Sequence, residues 1–369
     1  MILQTKEFKE VCKTVLAAID TKTPSLFTET LELTTKGNLL ELNVTNREYF
    51  LTANFKLEQE ENFTASVNAS LFLNLISKLT TNTIEITQEG NNIKVKSNGL
   101  YKIPMIYNND KLLELPKIEI ENVTNTMSIN SSILHSIAIY NSKELLRGSI
   151  TKPVQKYYYV DEKGAITFTS GACVNSFELE KPIKMLLSDK VVKLFKLFAP
   201  DSKVNFTMGQ DELTEDLIQT KVRFETDRII LTAKLSDSGL ISGVPVSAIR
   251  GMSEKTYDYS IVINKDNLLK AIERLLLLNT NKDGVGVFEI DNQKLTIYDF
   301  DRDNKEEVVF DNECPNLTKY SMYLILNHVK LMLDNCEEDY ITMNFGDGRA
   351  VVIKKSNIAD IIQEKKVKE

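Results

Sequence analysis

Apolar residues in 263–278, INKDNLLKAIERLLLL, recur at three- and four-residue spacing, as the buried stripe of an amphipathic helix must. Leu268, Ile272 and Leu275 form the stripe with Leu269 and Leu276 beside it, while Asn267, Lys270 and Arg274 take the opposite face. Asn264 precedes the run and is placed to cap it, its side chain accepting from an orphan N–H of the first turn. Near the N-terminus, TKEFKEVCKTVLAAID turns Phe8, Val11, Cys12, Val15, Leu16 and Ile19 inward and Lys6, Lys9 and Lys13 outward. In mid-chain, INSSILHSIAIYN puts Ile133, Leu134, Ile137 and Ala138 on one side. These helices lie roughly 125–135 residues apart, the spacing of an internal repeat.

About 60 residues after each comes a second helix and then a β-hairpin pattern. The runs are VNASLFLNLISKL then NTIEITQEGNNIKVKS, LLSDKVVKLFKLF then SKVNFTMGQDELTEDLIQTKVRF, and MYLILNHVKLMLDN then DYITMNFGDGRAVVI. Between the two helices the chain alternates as strands do, for example over 25–67 with a turn at Lys36-Gly37-Asn38, and in KYYYVDEKGAITFTSG with a turn at Glu162-Lys163-Gly164. The pattern predicts three tandem α+β domains, 1–122, 123–254 and 255–355, followed by a charged tail over 356–369. An extended linker containing Pro116 is expected near 108–124, and a second linker near 244–258. The helix over 188–198 is expected to use Ser188 as its cap, bury Val191, Leu194, Phe195 and Phe198, and present Lys190, Lys193 and Lys196 outward.

A chain of 369 residues, 42% hydrophobic and 26% charged, has enough material for two or three cored domains. It has no N-terminal apolar signal and no apolar run near 18 residues, so neither secretion nor a membrane span is expected. Cys12, Cys173, Cys314 and Cys336 are scattered without metal-ligand spacing, which favours reduced core thiols and a cytoplasmic setting. The net charge of −7 excludes adhesion to nucleic acid over the whole surface but leaves room for a local basic face.

Motifs that promise chemistry fail on inspection. DFDRDN at 299–304 opens like a calcium loop, yet Asn304 stands where that loop needs Gly and Phe310 where it needs Glu. FGDGRA at 345–350 lacks the Gly-Lys-Ser/Thr of a phosphate loop, and GVGVF at 284–288 leads into a strand rather than a helix. The two histidines, His135 and His328, fall in helices of different domains. No catalytic residue, metal or cofactor is expected. What repeats instead is positive charge: Lys6, Lys9 and Lys13, then Lys190, Lys193 and Lys196, then Lys270 and Arg274 lie on outer helix faces in all three units, with Asn327 and Lys330 a weaker echo. Glu10 borders the first of these faces. Cations so placed hold phosphates without reading bases.

In the order and spacing of these elements the chain resembles the bacterial-type DNA sliding clamp, the β subunit of DNA polymerase III. The likeness covers nearly the whole length and is clearest in INKDNLLKAIERLLLLNTNKDGVGVFEIDNQKLTI, in LFLNLISKL…GLYKIPMI and in TFTSGACV. The Asn- and Lys-rich composition would suit a divergent bacterial or phage member. The resemblance implies a head-to-tail homodimer, a ring with helices inside and antiparallel sheets outside. That ring would encircle double-stranded DNA and tether the polymerase as a processivity factor, with a clamp loader as a further partner. The alternative is a ring or scaffold protein that never encircles DNA.

The resemblance also implies a partner-binding pocket between the second and third domains, lined by Ile150, Thr169, Gly171, Val174, Pro245, Ile249, Val351, Val352 and Ile353. The alternative for these residues is plain interdomain packing. The family's Asp-Gly-His-Arg-Leu run is Ser170-Gly171-Ala172-Cys173-Val174 here, and Lys354 and Lys355 replace the family's terminal Met and Pro. The tail beyond them is expected to form a short helix, with Ile358, Ile361 and Ile362 on one side, that partly covers the pocket or docks another partner.

Overall fold

A computed structural model of the chain describes residues 1–142, 153–168, 171–214, 217–236, 238–278, 284–291, 294–314, 317–334, 336–346 and 348–366. The first third runs β1 (Ile2–Gln4), α1 (Thr5–Ala17), β2 (Thr30–Lys36), β3 (Leu39–Thr45), β4 (Tyr49–Lys56), β5 (Thr64–Asn68), α2 (Ala69–Lys78), β6 (Thr83–Glu89), β7 (Asn92–Lys96) and β8 (Leu100–Pro104), with a small hairpin, β9 (Tyr107–Asn108) and β10 (Lys111–Leu112), behind it. The same order returns as β11 (Val123–Asn130), α3 (Ser131–Ser136), β12 (Tyr157–Asp161), β13 (Gly164–Phe168), β14 (Gly171–Ser176), β15 (Lys184–Ser188), α4 (Asp189–Leu194), β16 (Lys203–Thr214), β17 (Leu217–Glu225) and β18 (Ile229–Lys234). After α5 (Val246–Glu254) it returns again as β19 (Tyr259–Asn264), α6 (Lys265–Leu278), β20 (Val285–Asp291), β21 (Lys294–Asp299), β22 (Lys305–Val309), β23 (Tyr320–Ile325), α7 (Leu326–Asp334), β24 (Tyr340–Phe345), β25 (Ala350–Lys355) and β26 (Ile358–Gln363). The fold is thus α+β, with antiparallel sheets throughout the described residues.

The chain packs as two compact units, each drawn from separate stretches: Met1–Leu134 with Lys193–Asp237, and His135–Val192 with Ser238–Glu369. In the first unit, α1 and α2 pack together, and Phe8 stands edge-on to Phe55 and Phe72 at ring distances of 5.3 and 6.4 Å. Its sheets run β1-β6-β7-β8 and β11-β16-β17-β18-β4-β3-β2-β5. The expected linker near 108–124 is extended but strapped down. Buried Glu32 accepts from the Leu115 amide at 2.9 Å and from Asn43 at 3.1 Å, while Leu115 and Ile118 bury against Phe50. Further along, Asp211, ion-paired with Lys221, accepts from the amides of Glu121 and Asn122.

The second unit holds the sheets β15-β12-β13-β14-β26-β25-β24-β19 and β22-β21-β20-β23. Leu268, Ile272 and Leu275 of α6 are buried in its core with Val329, Met332 and Leu333 of α7. Asn264 caps as expected, accepting from the Asn267 amide at 3.0 Å. Ser188 does not cap α4; its hydroxyl is buried without a hydrogen-bond partner among the described residues. The expected mid-chain helix is α for Ser131–Ser136 only and continues as a π-helix over Ile137–Asn141. The widened turn ends on buried Asn141, whose Nδ2 donates to the carbonyls of Ala165 and Cys173 at 3.4 and 3.3 Å, and whose Oδ1 accepts from Asn175.

Two expectations are corrected here. The stretch 244–258 contains α5 where only a linker was expected. The charged tail is not a helix: Ile358–Gln363 form β26, hydrogen-bonded to β14 on one side and β25 on the other. Both faces of β26 are buried, so its isoleucines satisfy a strand as well as they satisfy helical spacing. Lys355 closes β25 and is buried. Its side chain is 1% exposed, pairs with Asp360 at 2.5 Å and donates to the Met332 carbonyl near the end of α7. Burial lowers the pKa of this ammonium, but the Asp360 carboxylate outweighs that and leaves it raised.

Because β26 fills a central place in its sheet, ending the chain at Lys355 strips hydrogen bonds from β14 and β25 and leaves a buried ammonium unpaired. The truncated chain is expected to lose cooperative thermal unfolding by circular dichroism; an unchanged melting curve would contradict the placement of β26.

Candidate nucleic-acid and partner interfaces

The outward cations divide once their neighbours are in view. On α1, Lys6 and Lys13 are exposed, Lys13 lying 3.8 Å from Glu10. Lys9 is half-buried and donates to the Leu79 carbonyl at the end of α2, so it ties two helices together. Lys193 of α4 and Lys196 just beyond it are exposed, and Lys190 is half-buried. On α6, Lys270 is exposed, whereas Arg274 reaches Glu306 of β22 with two bonds, Nε to Oε1 at 2.7 Å and Nη2 to Oε2 at 2.6 Å. Those bonds hold the Glu306 carboxyl below its ordinary pKa. Lys330 is engaged by Glu273 at 3.0 Å and Asp334 at 2.6 Å, while Asn327 is exposed. Glu7 and Glu10 are exposed on α1, and Asp266 and Glu273 on α6, so those two faces are of mixed sign. Sequence spacing identified the faces but not Leu79 or Glu306, partners distant along the chain.

Three of the residues expected to line a partner pocket come together in the second unit. Val174 of β14, Ile249 of α5 and Val352 of β25 share one apolar cluster with Tyr159, Tyr257 and Ile361, all buried. Leu240, Ile241, Val246 and Tyr157 pack at its edge and are partly exposed. Val351 and Ile353 do not join it. Successive side chains on a strand point to opposite faces, and these two enter the other core, with Leu268 and Phe288. Pro245 is exposed at the start of α5. Gly171 sits where a Cβ would lie 2.5 Å from the Ile361 carbonyl oxygen, so a side chain there would part β14 from β26. Ile150 and Thr169 lie outside the described residues. Sequence reasoning missed Tyr159 and Ile361; the alternation Tyr157-Tyr159-Asp161 was the available signal for the first, and treating β26 as a tail hid the second.

An ion pair stands at one end of this cluster. Arg250 of α5 donates from Nη1 to Asp161 Oδ2 at 2.9 Å and from Nη2 to Oδ1 at 2.5 Å, and the Lys163 amide donates to Oδ1 at 2.9 Å. Burial pushes the Asp161 carboxyl up, but the Arg250 and Lys163 hydrogen bonds outweigh it and leave it below the ordinary value. Burial, then the neighbouring Asp161, push the Tyr159 hydroxyl up to about 12.

Two of the rejected motifs are turns, and the third, at 284–288, runs into β20. Asp299 accepts from the Asn304 amide at 3.2 Å and side chain at 2.6 Å, closing the link from β21 to β22. Gly346 and Gly348, with φ of 125° and 64°, lie in the link from β24 to β25. Among the described residues, no group of three or more His, Cys, Asp and Glu is placed to hold a metal, and no helix is long and apolar enough to cross a membrane.

Residues 1–123 match the family described as DNA polymerase III beta subunit, N-terminal domain. Over 122 residues the chain is 30% identical to the beta sliding clamp of Mycoplasmopsis pulmonis (strain UAB CTIP), spanning 33% of this chain and 31% of that protein. The sequence alignment therefore covers about a third of that relative's length. The fold matches the DNA polymerase III subunit beta from Pseudomonas aeruginosa with a TM-score of 0.79 at 16% identity, over 99% of each chain. It matches the beta subunit from DNA polymerase of Streptococcus pyogenes with a TM-score of 0.81 at 14% identity, over 99% of each. The Helicobacter pylori beta clamp matches with a TM-score of 0.79 at 14% identity over 100% of both chains, so β26 belongs to the shared fold rather than to an appendage. From end to end the chain has the fold of the bacterial DNA polymerase III beta subunits, and it resembles the N-terminal domain of that family in sequence over its first 123 residues.

Proposed function

We propose that this chain is a DNA sliding clamp, a non-catalytic processivity factor that pairs head to tail with a second copy, encircles duplex DNA and tethers a DNA polymerase. The supporting observation is how the four-stranded halves of the sheets join. In the second repeat, β18 pairs with β4 of the first, Ile229 opposite Ala53 through Ala233 opposite Tyr49. In the third, β26 pairs with β14 of the second, Ile358 opposite Asn175 through Ile362 opposite Gly171. In each case the last strand of one repeat meets the strand of corresponding rank in the repeat before. The corresponding strands left without such a partner among the described residues are β8 and β22, at the ends of their sheets.

A strand edge without a partner is a template for another chain. Leu100 of β8 is 58% exposed, Val309 of β22 67%, and Leu277 of α6 85%. In the proposed assembly the third join forms between β8 of one copy and β22 of the next, and its repetition closes a ring. On this proposal the domains are 1–122, 123–254 and 255–355, with β26 counted into the third. The exposed Lys6, Lys13, Lys193, Lys196 and Lys270 face duplex phosphates, and acidic residues between them keep each contact weak enough to slide. The cluster of Val174, Ile249 and Val352, with its partly exposed rim, receives a short apolar peptide from a polymerase or clamp loader. A cytoplasmic location goes with this role.

Encirclement predicts retention on nicked circular DNA through gel filtration in high salt, and loss once the circle is linearised. Equal retention on both would mean ordinary binding, and retention on neither would favour a scaffold that does not encircle DNA. The salt dependence of duplex binding, measured by fluorescence anisotropy, separates the cations. Lys270→Ala is expected to reduce the log–log slope by about 0.9. Arg274→Ala is expected to reduce it by much less, because Arg274 is engaged with Glu306.

A further inference from the structure

We propose that Arg250 and Asp161 are positioning residues for the apolar peptide site, a pair that fixes helix α5 as its wall; this rests on the pocket proposed above. Helix α5 packs across the central strands of its sheet, β14, β26 and β25. Its grip on that surface has two components. Val246 and Ile249 supply the apolar one, entering the cluster that contains Val174 and Val352. The next residue, Arg250, supplies the other through both of its bonds to Asp161. No side chain caps the start of α5, so the helix is not held firmly from that end.

Asp161 is bound to the site by its own strand. Along β12, Tyr157, Tyr159 and Asp161 share one face: Tyr157 packs at the partly exposed rim, Tyr159 is buried in the cluster, and Asp161 receives the guanidinium. Tyr159 lies two residues before Asp161 on the same face of β12, so one strand places the ring that lines the cluster and the carboxylate that holds the helix walling it. Side chains of the pair are 15% and 5% exposed for Arg250 and Asp161, which removes most of the screening that makes a surface pair weak. The planar fork also fixes direction, which a single ammonium does not. The wall is thereby set before any peptide arrives, and preorganisation of this kind raises affinity by reducing what must be ordered on binding.

The test measures binding of a fluorescein-labelled peptide ending in Leu-Phe-Leu amide, by anisotropy well below the melting temperature of each full-length protein. Arg250→Lys, which keeps the charge and loses the fork, is expected to weaken binding roughly tenfold. Asp161→Asn is expected to do the same, and the exchanged pair Asp161→Arg with Arg250→Asp to recover most of the loss. A purely structural role would lower the melting temperature and leave the affinity of the folded variants unchanged, and that result overturns the proposal. Tighter binding by the single variants overturns it too, since α5 would then obstruct the site. If the unsubstituted chain binds no peptide, the pocket itself falls and this inference with it. Binding that is equal in all variants removes the inference alone.

Discussion

The hydrogen-bonding requirement of a sheet edge governs this structure. Every extended strand carries amides and carbonyls on both sides, and water or another strand must satisfy them. The chain meets the demand by passing the last strand of a repeat to the repeat before it, through β18 to β4 and β26 to β14. Each eight-stranded sheet is therefore two four-stranded halves contributed by different repeats. Local features follow from these joins. Gly171 allows β14 to approach β26, and buried Lys355 and Asp360 pair between β25 and β26, close to the end of α7. Among the described residues β8 and β22 make no such join, and on the proposed assembly a second copy supplies it.

Charge is organised on a different principle. A net charge of −7 and a set of exposed lysines coexist because the lysines lie on particular helices and acidic side chains stand among them. On the proposed function, acids among the lysines weaken each phosphate contact and so favour sliding over fixed binding. Some cations serve the fold instead. Lys9 closes the gap between α1 and α2, Arg274 braces α6 against β22, and Lys330 is shared by two carboxylates. A cation on an outer helix face is thus an offer of a phosphate contact only when no nearby carbonyl or carboxylate takes it.

The repeat was legible because both of its elements have strong periods: three to four for the helices, two for the strands. Three- and four-residue spacing identified the buried face of α6 at Leu268, Ile272 and Leu275, and Asn264 was recognisable as a cap from its position alone. What stayed hidden depended on distant partners. The strand β26 is buried on both sides because β14 lies on one edge and β25 on the other, and its Ile358, Ile361 and Ile362 also satisfy helical spacing. Helix α5 is short, begins after Pro245 and contains Gly251, so its composition reads as a linker. Three consecutive apolar residues, Val351, Val352 and Ile353, were assigned to one pocket although a strand must send the middle one to the opposite face. The ion pair of Arg250 and Asp161 joins residues from different elements and has no signature in the local sequence.

The mass of the native assembly, followed by light scattering as the protein is diluted, tests the central claim most directly. Pairing of β8 with β22 predicts a particle of twice 41.9 kDa that neither grows with concentration nor leaves a β8 or β22 edge for a third copy. A monomer at every concentration would contradict the account, since both edges would then be stable in water without a partner. A series of ever larger oligomers would contradict it as well, because the join would form without closing.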